Sequence, residues 1–253
     1  MPRRLKQVVY GFFYLIFFAL LGTGIYFLFL KPEVSCFDKR QNQNEEGIDC
    51  GRVCGNICLP ATLKSLALLD QPSVLPIDET HSSILITMQN PNADYGARSF
   101  GYEVVVYDRS GASLQSLENR SFIYPGEIKR ILLPNLAFGK SSLGRVEVTF
   151  ENPDWAKGED FKRPSLLLQD QKTRIEGSNV VIEGKVTNQD TLPLRRVGVV
   201  GVFEGKLGQT VGASLTEIES IFPNETRSFT LVHPLRNEVS TAVPRVFLYA
   251  FRP

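Results

Sequence analysis

The chain has 253 residues, room for one large domain or two of about 100, and its 43% hydrophobic content is that of a folded protein, which excludes a disordered chain. Lys and Arg number 28 against 27 Asp and Glu. Without an arginine-rich tract or a stacking motif, that balance gives no purchase on nucleic acid.

Residues 1–7 form a short basic stub carrying Arg3, Arg4 and Lys6 and no acid. Residues 8–30, VVYGFFYLIFFALLGTGIYFLFL, hold no charge at all. As a helix rising about 1.5 Å per residue they would extend roughly 34 Å, enough for a hydrocarbon core of about 30 Å. A cleaved signal peptide would end near ALLGTG, but the apolar run continues through IYFLFL and no A-x-A-like site follows, so an uncleaved transmembrane anchor is predicted. The flank after the run mixes Lys31, Glu33, Asp38, Lys39 and Arg40. Unopposed positive charge before the run, against mixed charge after it, places the N-terminus in the cytoplasm and everything after Leu30 across the cell membrane.

The juxtamembrane stretch 31–60 contains every cysteine of the chain: Cys36, Cys50, Cys54 and Cys58. Structural zinc sites usually pair two close cysteines or histidines at each end, whereas Cys36 stands alone with no histidine nearby, and redox centres favour C-x-x-C, which is not present. An even count in an oxidising compartment argues instead for two disulfides, with three pairings open. The apolar residues between the first and last cysteine are few (Phe37, Ile48, Val53, Ile57), so crosslinks stand in for a core. Asp38, Asn42, Asn44, Glu45, Glu46 and Asp49 form an oxygen-rich run of the kind calcium takes, but the glycine and terminal glutamate of an EF-hand loop are missing. A solvated polar loop between disulfides is the expectation, with no metal and no cofactor.

Beyond residue 60 short apolar runs alternate with turn residues. In SSILITMQ, Ile84, Ile86 and Met88 oppose Leu85, Thr87 and Gln89; in NVVIEGKVTN, Val180, Ile182 and Val186 oppose Glu183, Lys185 and Thr187. Both read as half-buried strands. Further strands are predicted at GYEVVVYD and RRVGVVGVF, EIKRILL and RSFTLV, and GRVEVTF and PRVFLYAF. No segment here has a helical period. Asn90 and Asn188, Pro125 and Pro223, and Glu127 and Glu225 each stand 98 residues apart. A repeat of that length predicts two all-β domains, 61–151 and 165–253, each an immunoglobulin-like β-sandwich, with the polar stretch 152–164 as linker.

Two resemblances attach to these motifs. CFDKRQNQNEEGIDCGRVC resembles the short cysteine modules that occur beside anchors in bacterial surface proteins, with Phe37 and Arg52 as departures. The strand and turn sets VVIEGKVTNQ, VGVVGVFE, FPNETRSFTL and ILITMQNP, YEVVVYD, YPGEIKRILL resemble FxLYD-type extracellular domains. Only VVYD keeps the Tyr-Asp pair, and neither unit has the leading Phe. The resemblance implies a bacterial single-pass envelope protein with tandem sandwiches, and says more of fold than of function.

No catalytic motif is legible, and no catalytic residue is assigned. His81 and His233 read as turn residues, and Asn119 and Asn224 head glycosylation-type triplets to which no role is given. The expected function is a non-catalytic binding or scaffold protein of the cell envelope; the alternative is an envelope enzyme or ligand sensor with a dispersed loop-built site. In the last strand Val246, Leu248 and Ala250 can face the core, which leaves Phe247, Tyr249 and Phe251 on the other face. Three aromatics there predict a covered surface, either between the two domains or against an unknown envelope protein or a second copy.

Overall fold

The structure is a computed structural model that describes residues 2–27, 35–42, 44–55 and 57–252. The last three residues of the predicted span, 28–30, and residues 31–34 lie outside the described residues. Two units are distinguished by their internal contacts, Met1–Leu59 and Pro60–Pro253.

In the first unit, helix α1 (Arg3–Ile25) opens the chain. It starts earlier than the apolar run, so residues 3–7 of the basic stub are part of the helix. Its length and composition suffice to cross a membrane, and none of the span Lys6–Ile25 is buried by protein. Val8, Phe12, Leu15 and Phe18 are each more than 60% exposed.

The second unit is built mostly of antiparallel β-strands. Strands β1 (Ala67–Leu68), β2 (Ser73–Pro76), β3 (Ser82–Gln89), β4 (Tyr95–Asp108), β5 (Ser113–Ile123), β6 (Ile128–Leu136) and β7 (Leu143–Lys157) form the first sandwich. Strands β8 (Leu166–Glu176), β9 (Asn179–Asn188), β10 (Leu194–Glu204), β11 (Thr210–Ile221), β12 (Thr226–Pro234) and β13 (Val243–Phe251) form the second. In the first, β3 pairs with β6 and with β1 and β2, while β4 lies between β5 and β7. The second repeats the plan, with β9 between β12 and β8 and β10 between β11 and β13. Each pair of sheets closes on its own apolar layer: Ile84, Ile86, Met88, Phe100, Val104 and Ile123 in one, Ile182, Val186, Val197, Phe203, Ile221 and Leu231 in the other.

The recurrence of Asn, Pro and Glu at the 98-residue offset has a structural cause. Tyr124-Pro-Gly-Glu127 and Phe222-Pro-Asn-Glu225 are both turns with Pro second and a left-handed residue third, Gly126 at φ 63° and Asn224 at φ 61°. Proline presets the second position, and only glycine or asparagine takes the third at little cost. The glutamate closes each turn through a side-chain oxygen that accepts the N–H of the first residue at 2.8 Å. The asparagine ties the turn to the preceding strand: Asn90 Nδ2 donates to Tyr124 O and Tyr95 O, and Asn188 Nδ2 to Ile221 O and Leu192 O. In both halves the asparagine is buried, and in the first the glutamate as well. The asparagines satisfy backbone carbonyls that the turn would otherwise strand in the core.

Two expectations need correction. The stretch 152–164 is not a solvated linker: β7 runs on to Lys157, pairing Trp155 with Ala97 and Ala156 with Gly96, and Phe161 is 3% exposed. Of the charges that suggested a linker, Asp154 and Lys157 lie on β7, while Glu159, Asp160, Lys162 and Arg163 follow it as exposed residues around the buried Phe161. A helix, α2 (Asn237–Ser240), also lies between β12 and β13, turning Val239 into the second core where no helical period was legible in so short a segment.

Candidate functional site

Two places gather chemistry: the cysteine module and the seam where the sandwiches meet.

The module's disulfides are Cys36–Cys54 and Cys50–Cys58, an interlocked pairing with Cα separations of 5.5 and 5.1 Å. Phe37, Ile48 and Val53 are all more than half exposed. Among the described residues 35–59 the buried ones are Cys54 and Glu45. The centre of the module is thus a disulfide and a carboxylate, not an apolar cluster. Mass spectrometry of the unreduced protein is expected to show a chain four hydrogens lighter than the reduced one, and reduction is expected to leave the cysteine-free sandwiches folded. Four free thiols would contradict the pairing.

The oxygen-rich run weighed for calcium serves its own backbone. Asp38 Oδ1 accepts Arg40 N, and its Oδ2 accepts Asn42 Nδ2, which holds the Asp38 carboxyl below its usual range. Asp49 accepts the N–H of Asp38 at 3.0 Å and of Lys39 at 2.9 Å. Glu45 Oε2 accepts the N–H of Asn42 and of Asp49, each at 3.2 Å. Asn44 stands at a left-handed turn position, and Glu46 lies outside, 4.0 Å from Arg52. Among the described residues, the acidic and sulfur atoms that converge are those of Cys36, Glu45 and Cys54. Their sulfurs are bonded to each other and so offer no thiolate to a metal.

The seam is an apolar layer between the outer face of the β2–β3–β6 sheet and that of the β11–β10–β13 sheet. Leu75, Leu85 and Leu132 from the first sandwich meet Val200, Val202 and Tyr249 from the second. This accounts for the burial of Leu85, on the face of β3 that alternation would leave in water. Arg130 stacks its guanidinium 3.9 Å from the Phe247 ring centroid and donates its backbone N–H to Tyr249 Oη at 3.0 Å. Tyr124 Oη donates to Ala250 O and accepts Arg252 N. Phe251, 38% exposed, closes the edge against Phe122 and Phe161. The three aromatics singled out on β13 thus all touch the first sandwich or the stretch that follows it.

At the margin of this layer Lys129 is 5% exposed, its Nζ donating to Phe122 O at 2.7 Å and lying 3.3 Å from the Phe122 ring centroid and 5.4 Å from that of Tyr249. Burial pushes its ammonium down to about 7, against the pull of nearby Glu127. Burial likewise pushes the Tyr124 hydroxyl up to about 12. A cleft of about 630 Å³ opens beside these residues, with the stacked rings of Tyr124 and Phe161, 4.4 Å apart, and Lys157, Lys162 and Arg163 along it. Glu127 at its floor is already held by Tyr124 N and by Arg163 at 3.5 Å.

His81 caps a surface turn with Asp78, whose carboxyl is lowered to about 2 by the N–H and hydroxyl of Thr80 and by His81. His233 packs on Phe203, and burial lowers its imidazole. Neither histidine meets the other chemistry described.

No protein-family model and no curated protein matches this chain. Among solved structures, an exo-chitosanase of Amycolatopsis orientalis is similar over 72% of this chain and 25% of its own, at 9% identity and a TM-score of 0.29. Red sea bream transglutaminase is similar over 72% of this chain and 31% of its own, at 12% identity and a TM-score of 0.21. The chain spans about a third or less of either enzyme, and neither likeness brings a function to it.

Proposed function

We propose that the chain is a non-catalytic binding or scaffold protein of a cell envelope, held in the membrane by α1, with its N-terminus cytoplasmic and the module and sandwiches on the far side. The bare apolar surface of α1 and the basic residues at its start support the anchor and its direction. The two disulfides support an oxidising compartment. The strand and turn pattern supports kinship with FxLYD-type extracellular domains.

The observation that carries the scaffold reading is the seam. Tandem domains ordinarily move against each other, but a continuous apolar interface removes that freedom. Here Leu85, Leu132, Val200, Val202 and Tyr249 make one body of two sandwiches. Such a body presents its outer edges and turns at a constant spacing, which suits holding a partner in place.

Protease added to spheroplasts is expected to digest the chain beyond α1 and leave the helix; survival of the sandwiches would overturn the orientation. Affinity capture from detergent-solubilised membranes, with the anchor intact, is expected to recover an envelope protein or a second copy in stoichiometric amount. Recovery of the monomer alone would remove the scaffold reading.

A further inference from the structure

The two disulfides of the module are chemically unlike. Beside Cys36–Cys54 lies the Glu45 carboxylate, 7% exposed, with Oε1 only 2.9 Å from Cys54 Sγ. A disulfide sulfur carries no proton, so this contact is not a hydrogen bond. Glu45 Oε2 is occupied by two backbone N–H groups, which fixes the direction in which Oε1 points. The module therefore buries a carboxylate oxygen against an atom that cannot donate to it. Reduction supplies the donor: a Cys54 thiol at that distance hands its S–H to Oε1. Exposure is also unequal across the bond, with Cys54 3% exposed and Cys36 half-buried. An incoming thiol meets Cys36, while bulk water does not reach Cys54.

We propose that Cys36–Cys54 is a thiol–disulfide exchange site, with Cys36 the sulfur that is attacked and Glu45 the group that gives and takes the proton of Cys54. The co-reactant is a small dithiol or the dithiol of an oxidoreductase. In the opening step its thiolate attacks Cys36 Sγ, a new S–S bond forms there, and the Cys36–Cys54 bond breaks. The electron pair passes to Cys54 Sγ; the reagent's thiol, in becoming that thiolate, leaves its proton on the Glu45 carboxylate, whose oxygen lies within 4.8 Å of both sulfurs, and Glu45 hands it to Cys54. The reagent's second thiolate then displaces Cys36 as a thiolate, which takes a proton from water; the reagent leaves as a disulfide, oxidised by the two electrons the cysteines gain. Closing is the reverse: Cys54 gives its proton to Glu45 as its sulfur attacks the mixed disulfide on Cys36. Cys50–Cys58 has no carboxylate described at its sulfurs and serves as the internal control.

The test uses the full chain in detergent, as wild type and Glu45→Gln, each first checked by mass for both disulfides. Dithiothreitol opens the bonds and oxidised glutathione closes them; acid-trapped, alkylated samples are mapped cysteine by cysteine across pH. Glu45→Gln is expected to slow both directions at Cys36–Cys54 by about tenfold or more, the lower range for loss of an acid–base group, and to leave Cys50–Cys58 unchanged. Glutathione trapped on the wild type is expected on Cys36. Unchanged rates, equal slowing of both disulfides, or glutathione on Cys54 would overturn the proposal. Should Glu45→Gln fail to form both bonds, the position of glutathione on the wild type still decides, and Glu45→Asp, which keeps the acid one methylene further off, is expected to retain the exchange at a reduced rate.

Discussion

Replacing Tyr249 by alanine is expected to lower the stability of the Pro60–Pro253 unit by about 3–5 kcal/mol, the range for deleting a large buried ring. Tyr249 is 8% exposed, fills the layer between Leu132 and Val200, and accepts the backbone N–H of Arg130. The loss has two parts that separate experimentally. Tyr249→Phe keeps the ring and removes the hydroxyl, so it is expected to cost about 0.5–1.5 kcal/mol, the net worth of one hydrogen bond. The rest belongs to the cavity. Because the damage falls on the seam and not on either core, the larger substitution is also expected to change the small-angle scattering profile while the far-ultraviolet signal of the strands persists. Urea unfolding followed by Trp155 fluorescence measures the first effect. The alternative use of these aromatics, docking an outside partner, makes the opposite forecast for Phe247→Ser with Tyr249→Ser: unchanged scattering and loss of a co-purifying protein.

The seam also shows where sequence reading reached and where it stopped. Central strands were legible because Ile84, Ile86 and Met88 in β3, and Val180, Ile182 and Val186 in β9, keep a two-residue period, as a face turned to the core demands, while β10 is an almost unbroken apolar run. The edge strands β5 and β11 were not named, since SLQSLENRSFI and TVGASLTEIESI carry Ser, Glu and Asn on their open faces and resemble loops in composition. Aromatics at 247, 249 and 251 announced a second covered face on β13. The residues that cover it did not announce themselves. Alternation puts Leu85 on the outer side of β3, but only the folded register shows that Leu75, Leu132 and the second sandwich cover it there.

The module and Lys129 were less legible for different reasons. Four cysteines permit three pairings, and nothing in their spacing ranks them, so the pairing waits on the fold. Glu45 is one acid in a polar loop, and that its oxygen meets Cys54 depends on two backbone N–H groups brought close by turns at Lys39, Asn44 and Asp49. Lys129 inverts the usual rule: in β6 Ile128 is 43% exposed while Lys129 beside it is buried. A pattern reader gives the lysine to water. The inversion arises because that face of β6 is covered by Phe122 and Tyr249, whose rings attract an ammonium.

That buried lysine sets the second large expectation, a rise of stability with pH. The folded protein holds the Lys129 pKa at about 7, below the ordinary 10.5. Between those values the unfolded chain binds a proton that the folded chain does not, so stability increases with pH through this window and lies level at its lowest below it. The full shift corresponds to roughly 4–5 kcal/mol, of which the ring contacts offset about 1–2, leaving a gain of about 2–4 kcal/mol. The groups facing Lys129 are Glu127 and Arg163, whose charges raise and lower it respectively, and Tyr249 across the seam. Tyr124 and Tyr249 have raised values and act with the opposite sign only as pH passes about 10, and His233, whose imidazole is lowered, adds to the rise only below about pH 7, so urea titrations between pH 7 and 9.5 isolate the lysine. In Lys129→Met the Phe122 carbonyl loses its donor, which costs about 1–3 kcal/mol at every pH, but the slope is expected to vanish. The variant should therefore approach or exceed wild-type stability at pH 7 and fall clearly below it at pH 9.5. Parallel curves for the two proteins would show that Lys129 keeps its charge in the folded seam.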